Sequence, residues 1–166
     1  MMKKIFSFMV FALILAGCAD DEPKYQKITI EQTNAEIANF NAAISGKSTK
    51  EIANSMVMEF ANKYGSTKFN QKVAQYVYFE EIYANENKVV YNYTLSSGWA
   101  GLPNKEKEKF LKYLQTDLIS RSCGTPTNRI AFRKGVSEVH SYFYSYADNH
   151  LFNIDINEEV CVKAGL

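Results

Sequence analysis

Apolar and polar positions follow three different patterns along this chain, and each pattern marks a different kind of segment. From Ile5 to Ala16 the chain is almost continuously apolar; Lys3 and Lys4 precede the run, and Gly17-Cys18 close it. A stretch of about a dozen apolar residues is short of the ~20 that span a bilayer as a helix. The order basic, apolar, small is that of a secretory signal peptide. A helical period begins after a polar interval. Asn34 is placed to cap a segment in which Ile37, Phe40 and Ile44 recur at helical spacing, with Gly46 as the stop. Ser48 and Glu51 have capping-box spacing, Ile52, Met56, Phe60 and Tyr64 repeat every four residues, and Gly65 ends the segment. These two helices, joined by a short polar turn, predict a hairpin.

The period then shortens to two. Val73 to Tyr83 is aromatic and β-branched, Asn85-Glu86-Asn87 supplies a turn, and Val89, Tyr91, Tyr93 and Leu95 alternate along a second strand. Ser96 to Asn104 reads as a loop carrying Trp99, the only tryptophan, between Gly98 and Gly101. Helical spacing returns from Lys105 to Arg121, with Phe110, Leu111, Leu114 and Leu118 on the buried stripe. Thr125-Pro126 opens a short helix that Gly135 closes. Val136 to Tyr146 and Leu151 to Ile156, joined through Asp148-Asn149-His150, predict a final hairpin. The order αα-ββ-αα-ββ predicts a single α+β domain over residues 28–166, with an antiparallel sheet of about four strands and helices packed on one face.

The ending Leu15-Ala16-Gly17-Cys18 resembles the bacterial lipobox. That resemblance implies removal of residues 1–17, acylation of Cys18 with chains such as palmitate, and a lipidated Cys with a short polar tether over residues 18–27. Each buried CH₂ adds ~0.8 kcal/mol, so several chains hold far more firmly than one. Ala19 directly after the Cys implies sorting to the outer membrane, with the domain facing the periplasm. Processing leaves about 150 residues, enough for one core. The formal charge of +1 falls to about −1 once Lys3 and Lys4 are removed, and no basic stripe of the kind that binds nucleic acid is present.

With Cys18 assigned to lipid, Cys123 and Cys161 remain as one pair in an oxidising compartment, and we expect a disulfide between them. Closing a loop of roughly 38 residues stabilises a fold by about 4 kcal/mol in the chain-entropy model. A zinc site or a catalytic thiol fits less well. There is no CxxC, and the only histidines are His140 and His150.

Eight of the eleven tyrosines fall in the predicted strands, and alternation places Tyr142, Tyr144 and Tyr146 on one face. Two readings stand for them: an aromatic platform for a partner, or cross-strand pairs that stabilise the sheet. Trp99 reads either as an exposed binding anchor or as a cover for a sheet edge. His140 lies on the Tyr142 side of its strand and reads as structural. Asp148, Asp155, Glu158 and Glu159 read as solvated, because the spacing of a calcium loop is missing. Without HExxH, GxSxG, a phosphate-binding glycine loop or a dinucleotide fingerprint, we expect no cofactor, no metal, no small-molecule substrate and no enzymatic activity.

The run Cys123-Gly124-Thr125-Pro126, then Ile130, Gly135-Val136, Tyr142-Phe143-Tyr144 and the final Cys161 resembles a pattern of small bacterial lipoproteins, among them the beta-class pilotins of type II secretion. The resemblance covers the lipobox and roughly the last third of the chain. It implies a lipidated α/β domain with one disulfide, which binds a helical segment of a secretin and carries it to the outer membrane. The function expected is therefore that of a membrane-anchored interaction protein with an envelope partner, in which Trp99, Tyr142, Tyr144 and Tyr146 are the candidate contacts. The alternative is a plasmid- or phage-linked exclusion or immunity lipoprotein. An envelope enzyme would require carboxylates gathered about His140 in a cleft.

Overall fold

The computed structural model describes residues 23–166; the signal segment, Cys18 and the start of the tether lie outside the described residues. The chain runs α1 (Asn34–Ile44), α2 (Thr49–Tyr64), β1 (Lys68–Lys72), β2 (Val77–Asn85), β3 (Lys88–Leu95), α3 (Ser97–Ala100), α4 (Asn104–Gly124), α5 (Pro126–Arg133), β4 (Ser137–Phe143), β5 (His150–Ile156) and α6 (Glu158–Lys163). Both early helices start in capping boxes. For α2 this is Ser48 with Glu51, as its spacing predicts. For α1 the cap is Thr33 and not Asn34: the Thr33 hydroxyl accepts from the Glu36 amide at 3.1 Å, while the Glu36 carboxylate accepts from the Thr33 amide at 2.7 Å. Gly65 ends α2 at φ 78°, a left-handed position that favours glycine.

The sheet has five strands in the order β1-β2-β3-β4-β5, one more than the periodicity predicts, and it is not wholly antiparallel. β3 and β4 pair in parallel, with Tyr91 opposite His140 and Tyr93 opposite Tyr142. The reason lies in the connection. Each hairpin is antiparallel within itself, but a helical crossover through α3, α4 and α5 joins them, and crossovers of this length are what parallel neighbours need. The extra strand β1 escapes pattern reading because Phe69 is its only large apolar residue. It is an edge strand with a lysine at each end, a composition that discourages pairing with other chains. Val73 and Ala74, placed by the sequence in the first strand, instead make the turn between β1 and β2.

One face of the sheet carries the core. Phe79, Ile82 and Val89 pack with Phe40, Ile44, Ile52 and Ala53 of α1 and α2. Tyr142, Ile154 and Ile156 pack with Leu114, Ile119 and Phe132 of α4 and α5. The two helical groups thus sit over different halves of the sheet: α2 lies against β2 and β3, whereas α4 reaches β5. On the opposite face Tyr83 and Leu151 stand exposed.

Two devices fasten the C-terminal half. Cys123 and Cys161 are disulfide-bonded, with their Cα atoms 5.5 Å apart, so that the end of α4 is tied to α6. Arg129 grips Glu158 through two nitrogens, at 3.0 and 2.8 Å, the bidentate geometry in which ion pairs are strongest. The segment ahead of α1 is also held. The Gln26 amide donates to Ser120 Oγ at 3.1 Å, the Ile30 amide donates to the Gly124 carbonyl at 3.1 Å, and the Gln32 side chain exchanges bonds with Thr127. The free part of the expected tether is accordingly shorter than residues 18–27.

Candidate functional site

Because the two helical groups stand over different halves of the sheet, an apolar cavity remains between α2 and α4. Its volume is about 190 Å³ and it is partly open. Phe79, Tyr91, Tyr93 and Tyr142 form the floor, Phe60 one wall and Leu114 and Leu118 the other, with Arg121 at the rim and Val73 and Ala74 at one end. Leu114, Leu118 and Arg121 fall at helical spacing on one face of α4. The floor is a product of register. Tyr93 stacks on Tyr142 with ring centres 4.9 Å apart, Tyr142 on Phe152 at 4.8 Å, and Phe79 lies 5.4 Å from Tyr93, each pair sitting opposite across neighbouring strands. A dry apolar cavity of ~150 Å³ is already large enough for a benzene-sized group, so this one accepts one or two large side chains.

Beside one end of the floor, on the same face of the sheet, lies a buried polar layer. Glu138 is 2% exposed and His140 4%. Glu138 Oε1 accepts from Asn128 Nδ2 of α5 at 2.9 Å and from the Tyr91 hydroxyl at 3.4 Å. The Tyr93 hydroxyl and His140 Nδ1 are hydrogen-bonded at 3.2 Å, and His140 stacks on Tyr91 with ring centres 4.7 Å apart. Burial first, and the nearby Glu138 carboxylate second, push the hydroxyls of Tyr91 and Tyr93 far above the usual tyrosine range. Burial does the same for Tyr142. The floor therefore stays uncharged.

The candidate contacts read from the sequence do not come together. Tyr142 belongs to the cavity floor and is 1% exposed. Tyr144 and Tyr146 do not share its face, because β4 ends at Phe143 and both lie in the turn beyond. The Tyr146 hydroxyl reaches Glu81 and Asn92 instead, and its burial beside Glu81 raises its pKa to about 12. Trp99 lies in the short helix α3, half-buried against the C-terminal core, with Lys107 Nζ 5.1 Å from its ring centre. His150 opens β5, where it bonds Asn153 at 2.8 Å. Phe60, Phe79, Leu114 and Leu118 are the site residues that sequence reading leaves in the core. The alternation of Tyr91 and Tyr93 with Val89 and Leu95 is the signal that points to their shared face.

A family model for the prokaryotic membrane lipoprotein lipid attachment site matches residues 2–19, the segment that contains Cys18. The chain carries a lipoprotein anchor. No curated protein matches it in sequence. Among solved structures, it is similar to a secreted protein from Pseudomonas aeruginosa, with a TM-score of 0.51 and 10% identity over 68% of this chain and 96% of that one. It is also similar to the type 2 secretion pilotin EpsS of Vibrio vulnificus (0.49, 12% identity, 68% and 94%) and to the type II secretion pilotin AspS of Vibrio cholerae (0.46, 12%, 75% and 98%). The first of these likenesses shows that the lipoprotein's α+β fold recurs.

Proposed function

We propose that this lipoprotein is a pilotin-like assembly factor of the outer membrane, facing the periplasm, which takes the apolar side chains of a partner segment into the cavity between α2 and α4. The observation that carries this reading is the cavity itself: a partly open space floored by stacked aromatic rings and walled by Phe60, Leu114 and Leu118. An amphipathic helix presents large apolar side chains at i and i+3 or i+4, the spacing that fills such a groove. Burying two of them contributes roughly 3–6 kcal/mol, a substantial part of the ~8 kcal/mol of a micromolar complex. The residues of the C-terminal third that resemble the pilotins support a secretin segment as that partner, and the lipid anchor supports delivery along the membrane.

The test is capture by the full lipidated protein, isolated from membranes, with and without Leu118→Glu. Recovery of a secretin by the wild type and its loss with the variant is the expected result. Secretin that localises normally in a deletion strain, together with equal recovery by both proteins, refutes the pilotin reading.

A further inference from the structure

We propose that Glu138 and His140 are positioning residues that set the selectivity of the groove, by holding the Tyr91 and Tyr93 hydroxyls away from the cavity so that apolar groups are favoured at that end of it. The proposal rests on the groove as the binding site. Tyr91 and Tyr93 line the cavity, whereas the residues that bind their hydroxyls, Glu138 and His140, do not. Each hydroxyl is thus turned toward the buried layer, and the groove meets ring surface there. Glu138 is itself fixed from above by Asn128 of α5.

The geometry also gives His140 a tautomer. Glu138 Oε2 and His140 Nε2 are both buried without another partner, and they face each other at 3.6 Å. A proton on Nε2 lies toward the carboxylate and leaves Nδ1 to accept from the Tyr93 hydroxyl. The chain Tyr93–His140–Glu138–Tyr91 then has every hydroxyl committed. Remove His140, and the Tyr93 hydroxyl at the cavity lining seeks a new partner. A buried unpaired hydroxyl carries its full desolvation penalty, so a guest able to bond it gains about tenfold or more over an isosteric guest that cannot.

The experiment uses the full lipidated protein in nanodiscs, titrated with toluene or with p-cresol, which adds one hydroxyl. The methyl resonances of Val77, Leu114 and Leu118 report on the cavity. The ratio of the two midpoints is compared between variants, so uptake by the bilayer cancels. Wild type favours toluene; His140→Phe shifts the ratio about tenfold toward p-cresol; Tyr93→Phe combined with His140→Phe restores it. His140→Asn, which keeps an acceptor near Nδ1, retains the wild-type ratio. Nitrogen-15 spectra show the imidazole proton at Nε2, a readout on the wild type that stands even if His140→Phe does not fold. An unchanged ratio in folded His140→Phe, no restoration by the second substitution, or a proton on Nδ1 overturns the proposal. Failure of toluene to shift any of the three methyls in wild type overturns the groove itself, and a selective groove that captures no partner overturns only the proposed function.

Discussion

Replacing Gly124 with alanine tests how the N-terminal segment is fastened to the domain. A Cβ at this position would lie 1.6 Å from the Ile28 carbonyl oxygen and 2.7 Å from its carbonyl carbon, both backbone atoms. No rotamer relieves such a contact, so the segment from Gln26 to Ile30 has to lift off α4. Two bonds nearest the clash go with it, Ile30 N to the Gly124 carbonyl and Gln26 N to Ser120 Oγ, each 3.1 Å long. At about 1 kcal/mol apiece the loss is about 2 kcal/mol, equivalent to a fall in melting temperature of roughly 4–8 °C for a domain of this size. The Gln32–Thr127 pair, further along, is expected to survive, leaving a longer free tether between lipid and domain. Thermal unfolding followed by circular dichroism gives the first readout, and hydrogen exchange at the Ile30 amide gives the second. A variant that melts with the wild type and keeps the Ile30 amide protected would refute the close packing of this segment on α4.

Three further outcomes are expected. Cys123→Ser, or reduction of the wild type, lowers stability by about 4 kcal/mol in urea titrations; titrations that coincide with and without reductant contradict a structural disulfide. Leu118→Glu abolishes partner capture but leaves the fold intact by circular dichroism, since the new carboxylate can reach solvent at the open groove only while no partner covers it. Glu158 is held below the ordinary carboxylate range, first by its hydrogen bonds from Arg129 and then by the charges of Arg129 and Arg133. A lowered carboxyl pKa adds stability above the unfolded value of ~4.3, and that part is lost as pH falls through the folded value. Glu158→Gln should therefore reduce the drop in melting temperature between pH 6 and pH 3, and an identical drop in both proteins argues against the pair.

Much of the fold is legible in the residues, because each long element carries its own period and stops. Ser48 with Glu51 and Gly65 frame α2, and the spacing of Phe110, Leu114 and Leu118 marks α4. What is not legible is non-local. Nothing in the alternation of Val89 to Leu95 or of Val136 to Tyr142 says that these strands meet in parallel; the helical crossover decides it. β1 is hidden because an edge strand needs little apolar surface, and α6 because six residues are too few for a helical period to show. The groove was only half visible. Alternation places Tyr91, Tyr93 and Tyr142 on inward faces, but whether such a face is covered depends on where α2 and α4 come to rest. Tyr144 and Tyr146 mislead for the opposite reason, since a strand period extrapolated past Phe143 continues through what is a turn.

The most direct measurement is photo-crosslinking in living cells, with a photoactivatable residue placed at Leu118 in the groove wall or at Tyr83 on the uncovered face of the sheet. Occupancy of the groove predicts a crosslink from position 118 to an apolar helical segment of an envelope protein, a secretin for a pilotin-like role, and none from position 83. A crosslink from 83 with none from 118 would place the partner on the other face and contradict the groove as its site.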